Sequence, residues 1–138
     1  MDSQLNPVLV EVKLGEIPLK VLFGLYQDGT PAMEATGFDD GYDQPWATLT
    51  TNLTPYGGDG DLGPWEMWVK AHDENESLAR AVLATGIFVD TGRSRQSGYS
   101  SFSIWQLQPD KLAEGVFDQC RGFVAGADTR RSTGLRQR

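Results

Sequence analysis

The sequence predicts an α+β domain: a mainly antiparallel, twisted sheet of six or seven strands, one helix over residues 74–85 and a second helical candidate near the C-terminus. Three observations lead there. Period-two hydrophobic alternation runs through two consecutive segments joined by Gly15-Glu16 and followed by an Asp-Gly turn. Sixteen glycines and seven prolines punctuate the chain at short intervals. Helical spacing shows most strongly in one stretch, residues 73–86.

Val8, Val10, Val12 and Leu14 alternate with Glu11 and Lys13, which predicts a first strand with its valines inward. Gly15-Glu16 reads as a tight turn. Residues 17–27 form a second strand with Leu19, Val21, Phe23 and Leu25 inward, and Pro18 near its start, where a missing donor is tolerated. Asp28-Gly29 favours a primed hairpin turn, and a third strand over residues 32–38 completes a β-meander. After the turn Asp39-Asp40-Gly41-Tyr42-Asp43, residues 46–53 alternate as one strand, with Ala47, Leu49, Thr51 and Leu53 on one face.

Residues 55–64 are a loop by their Gly and Pro content, and residues 65–71 return as a strand with Trp65, Met67 and Val69 on one side. Asp73 and Glu76 have capping-box spacing; Leu78, Val82 and Leu83 make an apolar stripe, and Gly86 supplies the stop. Residues 87–90 read as a short strand, 91–98 as a polar loop and 100–108 as a last strand with bulk on both faces, suited to a central position. Pro109-Asp110 can open a second helix through Leu112, Val116 and Phe117. Residues 1–124 thus read as one domain and 125–138 as a basic tail.

Charge is the most uneven property of the chain. Between Asp28 and Glu76 eleven carboxylates stand against one fixed cation, Lys70, a net charge of −10 over 49 residues. Residues 80–138 carry a net +4. Such a field attracts basic surfaces and repels nucleic acid, so no direct nucleic-acid binding is expected. Attraction between the two halves of the chain accounts for the asymmetry equally well.

Catalytic motifs are missing. One histidine, His72, and one cysteine, Cys120, argue against a His- or Cys-rich zinc site and against Cys–His nucleophilic catalysis. Asp59-Gly60-Asp61-Leu62-Gly63 opens like a calcium loop, but Gly63 and Lys70 occupy positions that need ligands. A site from Asp59, Asp61 and Glu66 is the only metal arrangement that can be sketched, and a solvated acidic loop explains the same residues. Gly57-Gly58-Asp59-Gly60 is too acidic to cradle phosphate, so neither a metal, a cofactor nor catalytic residues are assigned. No stretch of eighteen apolar residues implies a membrane span, and Met1 to Asn6 lacks secretory features, so a cytoplasmic setting is expected.

Trp46, Trp65, Trp68 and Trp105 are the other conspicuous group. Trp65 and Trp68 cannot share one strand face, so one of them meets solvent, a helix or a partner. An exposed tryptophan beside acids makes an anchor for a protein partner. The expected partner-binding surface is therefore Asp39, Asp40, Asp43, Trp46, Asp59, Asp61, Glu66, Trp68, Asp73, Glu74 and Glu76.

Residues 46–99 carry an ordered series: Ala47-Thr48-Leu49-Thr50-Thr51-Asn52-Leu53, Val69-Lys70, Glu74-Asn75-Glu76, Leu83, Gly86-Ile87, Asp90-Thr91-Gly92-Arg93 and Ser97-Gly98-Tyr99. In this series the chain resembles an uncharacterised family, a domain of unknown function, of small proteins encoded on bacterial plasmids, conjugative elements and phages. The resemblance implies mobile-element cargo without known catalysis, and by class analogy an inhibitor of host defence. Its partner would be a host protein or nucleoprotein complex with a basic surface, such as a CRISPR effector or restriction enzyme, met by phosphate mimicry. A structural or adaptor protein, acting through protein contacts or dimerisation, fits the same residues. Arg93 can pair with the acidic cluster.

Overall fold

The structure is a computed structural model; it describes the backbone of residues 6–39, 42–58 and 60–136, and the side chains of residues 6–37, 44–58 and 60–127. Among the described residues eight antiparallel strands form two four-stranded sheets, ordered β1-β2-β3-β4 and β5-β6-β8-β7. The mixed α+β class is as the sequence predicts, with the strands divided between two sheets.

The first sheet is a meander of β1 (Val8–Leu14), β2 (Ile17–Leu25), β3 (Pro31–Asp39) and β4 (Tyr42–Thr48). Leu19, Val21 and Phe23 pair with Gly37, Ala35 and Met33, and all six are buried on one face. In β1 a bulge between Val8 and Val10 turns Leu9 inward in place of the expected Val8, which shares the outward face of its register partner Leu22. At the β2–β3 turn Gly29 alone takes positive φ (89°). The Gly29 N–H donates to the Tyr26 carbonyl (2.9 Å), so the turn is not the primed type that Asp28-Gly29 suggests. Asp28 keeps an ordinary φ because its carboxylate accepts from the Thr30 N–H at 3.0 Å.

The continuous strand expected over residues 46–53 changes sheets at Leu49. Its N–H donates to Met33 of β3 (3.1 Å), while its carbonyl accepts from Lys70 just past β6 (2.7 Å). Leu49 is fully buried at this crossing. Beyond it lie β5 (Thr50–Thr51), β6 (Glu66–Val69), β7 (Phe88–Ser97) and β8 (Ser100–Leu107). β8 is central, as its two bulky faces suggest. Residues 91–98, expected as a loop, belong mostly to β7, because a register shift between Asp90 and Ser94 absorbs the turn-like Thr91-Gly92-Arg93 within the ladder to β8.

Helix α1 (Glu76–Ala84) buries Leu78, Ala79 and Val82. The capping box does not form. Residues Asp73–Asn75 make a 3₁₀ turn instead, Asp73 sits at φ 57°, and the Asn75 side chain donates to the Thr48 carbonyl at 3.0 Å. Helix α2 (Val116–Arg136) is longer than expected and includes most of the segment that reads as a tail. Phe117, Cys120, Phe123 and Val124 give it an apolar stripe against the core, and tertiary contact of this kind extends helices whose own propensity is weak.

One main core joins the inner face of the first sheet, the Met67, Val69, Trp105 and Leu107 side of the second, and both helices. Trp65, at φ 61°, lies between Phe23 (5.7 Å) and Phe117 of α2 (5.0 Å). A left-handed aromatic residue carries strain, of order 1–3 kcal/mol, that this packing must outweigh. A satellite cluster of Leu53, Trp68 and Ile104 lies on the opposite face of the second sheet, with Leu62 and Phe102 packed against it.

Candidate functional site

The acidic residues fall into two groups with different neighbours. The first is bound into the 52–66 loop. Asp28 accepts from the Asn52 amide (3.0 Å) and from Thr30. Burial alone would raise its carboxyl pKa, but these donors outweigh burial and hold it below the usual range. Asp61 accepts from the Nε–H and Nη2–H of Arg95, one on each carboxylate oxygen, and that pairing lowers its pKa.

Glu66 is 7% exposed at its side chain; it accepts from Arg93 (2.5 Å) and from the Gly63 N–H (2.7 Å). Burial pushes Glu66 up, yet Arg93 and the Gly63 N–H prevail, and its pKa is lowered. Arg93 also donates to the Asp61 carbonyl at 2.9 Å. The two arginines of β7 therefore clamp the loop across the satellite cluster.

That arrangement corrects three expected contacts. Asp61 and Glu66 are already neutralised by Arg95 and Arg93, so they lend little to a decoy surface or a metal site. Trp68 is 1% exposed and cannot reach a partner. Its ring lies so close under the loop that a Cβ on Gly58 would stand 2.5 Å from Trp68 Cζ2 and 2.8 Å from the Leu53 carbonyl oxygen. Among the described residues no group of three His, Cys, Asp or Glu side chains is placed to hold a metal.

The second group surrounds the outer edge of β4. Register shifts between Ala35 and Thr36: Ala35 faces Ala47 and Thr36 faces Pro45, which leaves Trp46 as the extra, bulged residue. Trp46 is 46% exposed, and its ring comes within 3.5 Å of a Cβ placed on Gly37, on the core-facing side of the sheet. On the other face Glu34 is exposed opposite Thr48. Beyond Thr48 the Asn75 hydrogen bond brings the exposed Asp73 and Glu74 to the same end of β4.

Among the described residues, no lysine or arginine pairs with Glu34, Asp73 or Glu74; His72 approaches Asp73 at 4.0 Å. Glu76 pairs with Arg80 on an exposed helix turn (2.7 Å). The side chains of Asp39, Asp40, Asp43 and Asp59 lie outside the described residues.

Glu34 and Tyr26 are neighbours that sequence reasoning missed. Burial raises the Tyr26 phenol pKa; its contact with Thr50 (3.1 Å) opposes this, and the Asp28 and Glu34 carboxylates reinforce it. The Asp28-Gly29 dipeptide signals the β2–β3 hairpin but not this neighbour: a two-residue turn there would set Ala35 opposite Leu22, and the observed turn shifts the register by one, to Glu34.

No protein-family model, no curated protein and no solved structure matches this chain. Among the described residues no helix is long and apolar enough to cross a membrane.

Proposed function

We propose that the protein is a non-enzymatic acidic binding protein of a mobile genetic element, which inhibits a host nucleic-acid-handling defence complex of the anti-CRISPR or anti-restriction type. The observation that carries this reading is the β4 edge, where Glu34, Asp73 and Glu74 lack a lysine or arginine partner among the described residues and the half-exposed Trp46 bulges toward the other face of the sheet. Carboxylates there take the place of phosphates on a basic groove, and Trp46 adds apolar contact at the edge. The surface is narrower than a net of −10 suggests, because three of the eleven acids are satisfied by arginines of the same chain. The resemblance of residues 46–99 to mobile-element proteins supports the anti-defence class.

Capture from a bacterial lysate at low and high salt tests the proposal. Attraction between charged faces is screened within about 10 Å at 0.1 M salt, so retention of a basic nuclease or effector must fall steeply with ionic strength. Retention that is flat with salt would refute phosphate mimicry.

A second reading, a structural or adaptor protein acting through protein contacts or dimerisation, is favoured by a different observation. Among the described residues the outer edge of β7 has no neighbouring strand; Val89 is 47% exposed and Tyr99 at the hairpin tip is fully exposed. Light scattering that gives a dimer, together with no captured nuclease, would support it.

A further inference from the structure

A cleft of about 330 Å³ opens beside the acidic end of β4, lined by Leu22, Gly24, Ala32, Glu34, Thr48 and the Tyr26 side. Leu22, Ala32 and Glu34 belong to the face of the first sheet that turns away from the main core, because their register partners alternate with the buried Val21, Phe23, Met33 and Ala35. The volume lies at the bottom of the range of about 300–1,000 Å³ that holds whole small ligands, so it suits one long side chain. Its walls are apolar at Leu22 and Ala32, and at Gly24 the Asn6 amide stands 3.2 Å from where a Cβ would project. Its polar groups are an exposed carboxylate without a lysine or arginine partner among the described residues, Glu34, the Tyr26 phenol, which contacts Thr50, and the Asn6 amide, which donates to the Phe23 carbonyl.

We infer that this cleft receives an arginine side chain of the partner protein, with the aliphatic stem against Leu22 and Ala32 and the guanidinium on Glu34. Charge complementarity selects the occupant. A planar guanidinium meets a carboxylate through two parallel N–H bonds and tolerates an aromatic neighbour such as Tyr26. A lysine ammonium offers one point of charge, and an acidic or neutral side chain leaves Glu34 unpaired. This inference rests on the acidic binding reading above and adds to it the residue type at one contact of the partner.

The test is a nitrogen–proton correlation NMR titration of the whole protein with N-acetyl-arginine methylamide, against its uncharged isostere N-acetyl-citrulline methylamide. The arginine probe is expected to give saturable shifts at the amides of Leu22, Gly24, Ala32, Glu34 and Thr48, with roughly tenfold weaker binding by citrulline. Glu34→Gln, an exposed change, is expected to erase the difference between the probes. Ala32→Met, which fills the cleft and spares the carboxylate, is expected to abolish binding of both.

Absent or non-saturating shifts at these amides, or equal affinity for the two probes, would overturn the assignment. The two levels separate cleanly. If the probe fails while Asp73→Asn with Glu74→Gln still releases the partner captured from lysate, the arginine cleft falls and the acidic binding reading stands. If the probe binds but no basic partner is captured, the cleft stands and that reading falls.

Discussion

Replacing Arg93 by alanine isolates the structural half of the acidic set. Glu66 would keep only the Gly63 N–H at 2.7 Å, with its side chain 7% exposed. Breaking a fully buried ion pair costs about 3–5 kcal/mol and breaking a surface pair about 0–1 kcal/mol. Arg93 is 49% exposed, which sets Arg93→Ala between these limits, at about 2 kcal/mol.

Glu66→Gln keeps the shape and the Gly63 contact and should cost about 1 kcal/mol. In the double variant the charge left behind by one change is removed by the other, so the sum should fall short of additive by about 1 kcal/mol. Urea unfolding followed by tryptophan fluorescence measures all three, since Trp68 sits under the clamped loop. An Arg93→Ala protein within 0.5 kcal/mol of wild type, or strict additivity of the pair, would refute the clamp.

Gly58→Ala forces a Cβ to 2.5 Å from Trp68 and 2.8 Å from a backbone oxygen, and should cost about 2–3 kcal/mol. At roughly 3–4 °C per kcal/mol for a chain of 138 residues, calorimetry should find a melting temperature lower by about 6–12 °C. Gly122→Ala in α2, with nothing within 4 Å, should instead raise stability by about 0.5–1 kcal/mol. The lowered carboxyl pKa values of Asp28, Asp61 and Glu66 contribute stability that is full above their unfolded values near pH 4 and is lost as pH falls through the folded ones, so acid unfolding should steepen below about pH 4. Burial of Cys120 raises its thiol to about 11, so stability present below pH 9 should decline as pH climbs toward 11, and Cys120→Ala should remove that slope. Trp46→Ala, at a half-exposed edge position, should change stability by less than 1 kcal/mol while weakening partner capture several-fold.

The meander was legible because local rules determine it. Valine and leucine alternation fixes which face of β2, and of β1 beyond its bulge, turns inward, and the Asp-Gly dipeptide marks where the chain reverses. The change of sheets at Leu49 was hidden by an alternation from Ala47 to Leu53 that continues unbroken across it; only the pairing of Leu49 with Met33 and Lys70 reveals the division. β7 was hidden for the opposite reason. Thr91-Gly92-Arg93 reads locally as a loop, and its strand character comes from β8 and from a bulge. In α2 glycine, serine and threonine obscured a helix that core contact at Phe117 and Cys120 supports.

The candidate site was legible in charge and not in pairing. A run of carboxylates is visible in composition, but Arg93 and Arg95 reach Glu66 and Asp61 from 27 and 34 residues away. Trp46 and Trp68 look alike in sequence, each in a strand among acids. A bulge at the sheet edge exposes one, and the 52–66 loop buries the other.

Affinity for the captured partner, measured for two variants across a salt series, weighs the two acidic groups against each other most directly. Glu34→Gln with Asp73→Asn and Glu74→Gln should lose tenfold or more in affinity at low salt and flatten the salt dependence, with the fold intact. Asp61→Asn with Glu66→Gln should keep wild-type affinity and lose stability instead. Undiminished binding by the first variant, or loss of binding confined to the second at a temperature where it remains folded, would contradict the account.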